Sequence, residues 1–222
     1  MITTTEIKDS FKNKDLFDHS LTHRSWVNEH KGMRTSNERL EFLGDAILEF
    51  VVSREIYVKF PNKEEGYLTA LRANLVNTVA LAEFAKKINL GSVLFLSKGE
   101  EESQGRINPS LLADTVEAII GAIFIDRGID GAEDFIINNL LVELDTVAEA
   151  PLKDSKSLLQ EYVQSQGFAA PKYKVVEESG PDHEKKFIID VFVQNTAWGR
   201  GEGKSKSSAE QAAAGQALTK KI

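Results

Sequence analysis

The sequence predicts an all-helical domain followed by a small α+β domain, and three observations carry that reading. Apolar residues recur at helical spacing through the first two-thirds of the chain. The last third switches to β-branched runs and alternation between two helical patterns. Between the two lies Ala150 to Ser155, where Pro151, Lys153, Asp154 and Ser155 have the composition of a linker. The expected organisation is a first domain over 1–150, a linker over 151–155 and a second domain over 156–222.

Taken in order, Leu16 to His30 is a candidate helix, and Ser36 to Phe60 a longer one, capped by Ser36 or Asn37 and stopped by Pro61. Glu64 to Ile88 places Leu68, Leu71, Leu75, Val79 and Ala82 near helical period, and Gly91 ends it. Gly99 to Asn108, with Gly99, Gly105 and three consecutive acids at Glu100 to Glu102, is expected to be an exposed loop. Asn108 caps a helix opened by Pro109 and running to about Asp126, before Gly128. A further helix covers Gly131 to Val147. Beyond the linker, Lys156 to Gln166 is a short helix. Lys172 to Glu178 and Lys185 to Gln194 are strands joined through a Gly180-Pro181 turn, and Thr196 to Glu202 is a glycine-rich third strand. Ser205 caps an alanine-rich helix to Lys221, completing an αβββα order.

The chain has 222 residues, 41% hydrophobic and 27% charged, enough apolar material for real cores. No cysteine is present, which excludes disulfides and thiolate metal sites. The amino-terminal residues are polar and charged, and the most apolar runs are too short to span a bilayer, so no membrane partner and a cytoplasmic location are expected. The net charge of -7, taken as a whole, opposes a nucleic-acid partner. It is unevenly spread: residues 154–222 hold 10 Lys+Arg against 9 Asp+Glu, net +1, which leaves -8 on the first part. A hard-metal site requires such a local surplus of carboxylates.

Glu38, Glu41 and Asp45, at offsets of three and seven, fall within roughly 60° of one another on a helix. Their neighbours are apolar: Leu40, Phe42, Leu43, Ala46, Ile47 and Leu48. Asp114 and Glu117 share a face of a second apolar helix. If the two helices pack, up to five carboxylates meet, and their mutual repulsion calls for a cation. Oxygen-only donors suit Mg²⁺ or Mn²⁺. The alternative is two solvated helix faces, salt-bridged to Arg39 or Arg72; spacing alone leaves both open. Gly44, within the first acidic stretch, permits close helix approach. His23, beside Thr22 and Arg24, reads as a hydrogen-bonded structural residue rather than a ligand.

The segment NERLEFLGDAIL closely resembles the signature of the ribonuclease III family. LTHRSWVNEH at Leu21 to His30, EEGYLTALRANLVN at Glu64 to Asn77 and LLADTVEAIIGAIFID at Leu111 to Asp126 resemble further blocks of that family, in the same order. The resemblance implies that Glu41, Asp45, Asp114 and Glu117 are metal ligands. Of these, Asp45 and Glu117 are implied to be catalytic, together with Glu38, which supports the site and positions substrate. It implies Mg²⁺-dependent hydrolysis of phosphodiester bonds in double-stranded RNA, leaving 5′-phosphate and 3′-hydroxyl ends, in rRNA precursor and mRNA processing. It also implies a homodimer in which Phe42, otherwise a core residue, plugs the partner. Around Gln104 to Pro109 the chain departs from the family, and Arg106 is the one candidate RNA contact in that loop.

The second domain resembles a double-stranded RNA-binding domain, which reads A-form shape more than base sequence. Gln160 and Gln164, four apart on the first helix, are implied minor-groove contacts; His183 in the turn is another. Lys204 and Lys206 at the last helix are implied phosphate contacts. Ser207 stands where the family commonly has an adjacent lysine, which implies fewer phosphate contacts and a shallower salt dependence. Two competing functions are a non-catalytic duplex-RNA-binding or ribosome-associated protein on this scaffold, and a phosphohydrolase for small molecules. A degenerate relative is expected to lose at least one of the five acids, and none is lost here.

Overall fold

Apolar side chains at helical spacing need a partner face, and in the first unit α4 (Glu38–Lys59) and α8 (Pro109–Asn139) supply it for each other. The computed structural model describes residues 2–181 and 184–221. It divides into two compact units, Met1–Leu152 and Lys153–Ile222. Among the described residues, no helix is long and apolar enough to cross a membrane.

In the first unit, Leu40, Ile47, Leu48, Val51 and Ile56 of α4 are buried with Leu112, Val116, Ile119, Ile120 and Ile123 of α8. Asn108 caps α8 by accepting from Ser110 N–H at 2.9 Å, with Pro109 in the first turn as expected. Gly128 kinks α8 with φ 75° and ψ -170°, so the two helices read as separate run through a bend to Asn139. α9 (Leu144–Glu149) follows.

Several expected helices are divided. The stretch read as one helix over Leu16 to His30 is α2 (Lys14–Ser20) and α3 (Arg24–Glu29). Between them Leu21 O accepts from Phe95 N–H (3.0 Å), and His23 N–H donates to Phe95 O (3.1 Å). Pairing with a distant segment takes the backbone bonds that a helix would use. The stretch over Glu64 to Ile88 is α5 (Glu65–Leu75) and α6 (Thr78–Lys87), because Asn77 adopts an extended backbone and caps α6 from Ala80 N–H at 2.9 Å. α1 (Thr4–Ser10), not anticipated, is nucleated by a reciprocal capping box between Thr3 and Glu6. The expected loop at 99–108 contains α7 (Lys98–Glu102) and a 3₁₀ turn over Gly105–Ile107.

The second unit has the order α10 (Ser155–Ser165), β1 (Lys172–Ser179), β2 (Lys186–Val193), β3 (Thr196–Gly203), α11 (Lys206–Lys221). Its antiparallel sheet is ordered β1-β2-β3. Gln194 and Asn195 turn β2 into β3 with φ of 48° and 65°, the positive pair that a tight hairpin demands. α11 lies almost against the β3 backbone: a Cβ on Gly201 would stand 2.1 Å from Ala213 N. Ala209, Ala213 and Ala217 provide the matching small face, and α10 adds Leu159 and Val163 to the core. Ser205 accepts from Ser208 N–H (3.1 Å) and Ser208 returns the bond to Ser205 N–H (3.0 Å), the expected cap in reciprocal form.

Candidate active site

Two glycines decide where the carboxylates go. A Cβ on Gly44 would lie 1.7 Å from the Glu117 carbonyl oxygen, and one on Gly121 would lie 2.1 Å from the Leu40 carbonyl oxygen. α4 and α8 therefore cross backbone against backbone. That contact carries the acids of one helix onto those of the other. Gly44 was legible as a close-approach residue; its counterpart Gly121 was not.

At the crossing, carboxylate oxygens of Glu41, Asp114 and Glu117 all lie within 4.8 Å of one another, and all three residues are half-buried. Burial pushes Glu117 up to about 7, reinforced by the charges of Asp45, Asp114, Glu41 and Glu49. Burial also raises Glu41, with Asp114, Glu38 and Asp45 adding to it. Asp114 is raised by burial, partly offset by His23 and by a backbone hydrogen bond. Asp45 is exposed and stands outside the tight trio, yet its charge reaches both Glu41 and Glu117.

Glu38 behaves differently. It accepts from Ser36 Oγ at 2.7 Å and pairs with Arg24 at 3.1 Å, and these contacts, led by the serine hydroxyl, hold its carboxyl below the usual range. Asn37 stands at the cap position of α4, but its side chain makes no capping bond. Its buried amide instead donates to Ser20 O at 3.1 Å, which pins the start of α4 beside the site.

The suggested salt bridge to Arg72 goes elsewhere: Arg72 pairs with Glu49 at 3.2 Å and donates to Ser53 Oγ at 2.9 Å. Sequence reasoning passed over Glu49, although it continues the acidic stripe one turn beyond Asp45. Three oxygen donors crowded together and raised by burial, with like-charge repulsion adding to it at Glu41 and Glu117, fit a hard cation. A cleft of about 470 Å³ opens beside them, its lining including Glu38, Glu41, Asp114, His23, Arg24 and Asn28. A hollow of about 460 Å³ beside α6 has its Lys87 and Glu143 paired with each other at 3.2 Å.

Phe42 is 79% exposed, which rules out the core position that spacing alone suggests within this chain. Arg106 holds its loop together: it donates to Gly91 O (2.8 Å) and Leu94 O (3.1 Å) and pairs with Glu101. In the second unit Gln160, Gln164, Lys204 and Lys206 are all exposed, and Lys206 lies 5.7 Å from the Phe187 ring centroid. His183, the expected turn contact, lies outside the described residues.

Comparison with known proteins bears on both units. Residues 13–144 match the Ribonuclease-III-like family and residues 155–221 the double-stranded RNA binding motif. Ribonuclease 3 of Enterococcus faecalis is 42% identical over 97% of this chain and 96% of its own length. Ribonuclease 3 of Natranaerobius thermophilus is 45% identical over 90% and 87%. The chain belongs to the ribonuclease III family. Among solved structures, a nuclease domain of ribonuclease III from Campylobacter jejuni superposes with TM-score 0.56 at 41% identity, covering 61% of this chain and 94% of that one. That structure is described as having a flexible region involved in dimer formation. Family membership over nearly the whole chain, with a nuclease unit and an RNA-binding unit both present, makes this protein an endoribonuclease for double-stranded RNA. It does not favour the non-catalytic alternative, and the ribonuclease III family is metal-dependent.

Proposed function

We propose that Glu41, Asp45, Asp114 and Glu117 hold Mg²⁺, with Mn²⁺ able to substitute, and that the protein hydrolyses duplex RNA to 5′-phosphate and 3′-hydroxyl ends. The observation that carries this is the trio of carboxylate oxygens within 4.8 Å, with Glu117 pushed up to about 7. When bound, the cation acidifies a water and neutralises charge that builds on the phosphate. The residues' own work is separable from that. Glu117 keeps a proton near neutrality and yields it as the site fills, so occupancy couples to pH. Glu38, tied to Ser36 and Arg24, stays ionised at the rim and orients substrate and site rather than ligating. Asp45, exposed beside the trio, completes the donor set from the solvent side.

The units act as a nuclease and dimerisation domain over 1–150, a linker over 151–155 and an RNA-binding domain over 156–222. Gln160, Gln164 and His183 address the minor groove, and Lys204 and Lys206 the phosphates. The exposed Phe42 packs into a second copy of the chain, a reading supported by its 79% exposure beside the active helix. The setting is cytoplasmic processing of rRNA precursors and mRNA. The test is incubation with a labelled duplex RNA with and without Mg²⁺. Cleavage is expected only with the metal. Glu117→Gln and Asp45→Asn should each abolish it while binding survives, and full cleavage by either at saturating Mg²⁺ would overturn the site.

A further inference from the structure

The active cleft is lined by acids and also by a hydrogen-bond donor that the carboxylate site does not use. His23 caps α3, and its Nδ1 accepts from Ser25 N–H at 3.3 Å and lies 2.8 Å from Ser25 Oγ. The Ser25 backbone N–H can only donate, which makes Nδ1 the acceptor of that bond, and the Ser25 oxygen itself accepts from Ser97 N–H at 3.0 Å. With Nδ1 committed as an acceptor, the ring proton belongs on Nε2. Among the described residues Nε2 has no hydrogen-bond partner, and the ring lines the same cleft as Glu41 and Asp114. Capping alone does not call for histidine, because Ser, Thr, Asp and Asn cap at least as well. What histidine adds is a second nitrogen, fixed as a donor, on a ring that lines the cleft.

We infer that His23 is a substrate contact, its Nε2–H donating to a non-bridging phosphate oxygen of the RNA strand held at Glu41, Asp114 and Glu117. This rests on the reading of those carboxylates as the catalytic site. A neutral donor suits the position: it takes an anionic oxygen without competing with a cation for the acids. Arg24, in the same cleft, is already paired with Glu38 at 3.1 Å and leaves this donor role to the ring.

Two substitutions separate capping from contact. His23→Asn keeps an acceptor at the Nδ1 position and removes the distal donor; His23→Gln keeps a distal N–H and removes the near acceptor. In the full-length protein with Mg²⁺ and a short duplex RNA, His23→Asn is expected to melt like the wild type and to cleave about tenfold more slowly in kcat, with KM little changed. His23→Gln is expected to melt earlier yet cleave faster than His23→Asn at a temperature where both are folded. Wild-type rates for His23→Asn, or the slower rate for His23→Gln, would overturn the proposal. A 2′-deoxy substitution at the cleaved nucleotide should leave the His23→Asn defect unchanged; if it erased the defect, the contact would be to the ribose hydroxyl and the phosphate assignment would fail. Absence of cleavage by the wild type would overturn the carboxylate reading, and this proposal with it.

Discussion

Both units are built around glycines pressed against another element's backbone, but the contacts serve different ends. In the first unit, Gly44 and Gly121 bring two helices together, and the acids flanking the crossing are forced into one another's field. In the second, Gly199, Gly201 and Gly203 seat an alanine-faced helix on a strand, and the charged residues between them sit in opposite-sign pairs, Arg200 with Asp190 and Glu202 with Lys186. The same device concentrates charge in one place and merely closes a core in the other. Close packing is thus not itself a mark of function; what flanks it is.

The contrast can be broken most severely at the crossings themselves. Gly44→Ala puts a methyl 1.7 Å from a carbonyl oxygen that belongs to backbone. Calorimetry should show a loss of about 3 kcal/mol or more, and cleavage should fall by orders of magnitude. Gly201→Ala, with its Cβ 2.1 Å from Ala213 N, should cost a comparable amount. There the damage should be confined to the second unit, with duplex affinity lost and the first unit's circular-dichroism melting transition preserved.

A smaller effect follows from charge. Glu117 is raised from 4.5 to about 7, so the folded metal-free protein binds more protons than the unfolded chain between those values. Stability of the first unit should therefore fall as pH rises through that window. Glu117→Gln should flatten the profile, and saturating Mg²⁺ should do the same; thermal melts at a series of pH values would show it.

In the second unit Asp190 meets Arg200 through two bonds, at 2.6 and 2.8 Å, and that guanidinium is 60% exposed. Asp190→Asn should lower the second unit's stability by only about 1 kcal/mol in urea titrations. Smallest of all is the consequence of Ser207: duplex binding by the full chain should gain about one unit of log–log salt slope in Ser207→Lys, measured by fluorescence anisotropy.

How much of this was legible in the sequence depends on range. The grouping of Glu38, Glu41 and Asp45, and of Asp114 and Glu117, follows from helical period. The second unit's order follows from its alternation and turn residues. Which acids actually touch does not, because it depends on Gly121 finding Gly44 across the chain. The breaks at Leu21 to His23 and at Asn77 escaped for related reasons: one needs Phe95 as a partner, and the other turns on a single capping side chain in a stretch of otherwise helical period. Glu38 shows the same limit in reverse, since spacing places it with the trio while Ser36 and Arg24 draw it to the rim.

The bend at Gly128 gives α8 an uneven tolerance of insertion and deletion. With φ 75° and ψ -170°, that residue occupies a conformation essentially closed to other amino acids. It uncouples the register of the half-helix carrying Asp114 and Glu117 from that of the half running on to Asn139. One residue gained just after Gly128 could be absorbed at the bend. One gained between Asp114 and Glu117 would swing one carboxylate by about 100° relative to the other and take it off the α4 face. Length changes in this helix should thus be filtered by position, with the bend as the dividing line.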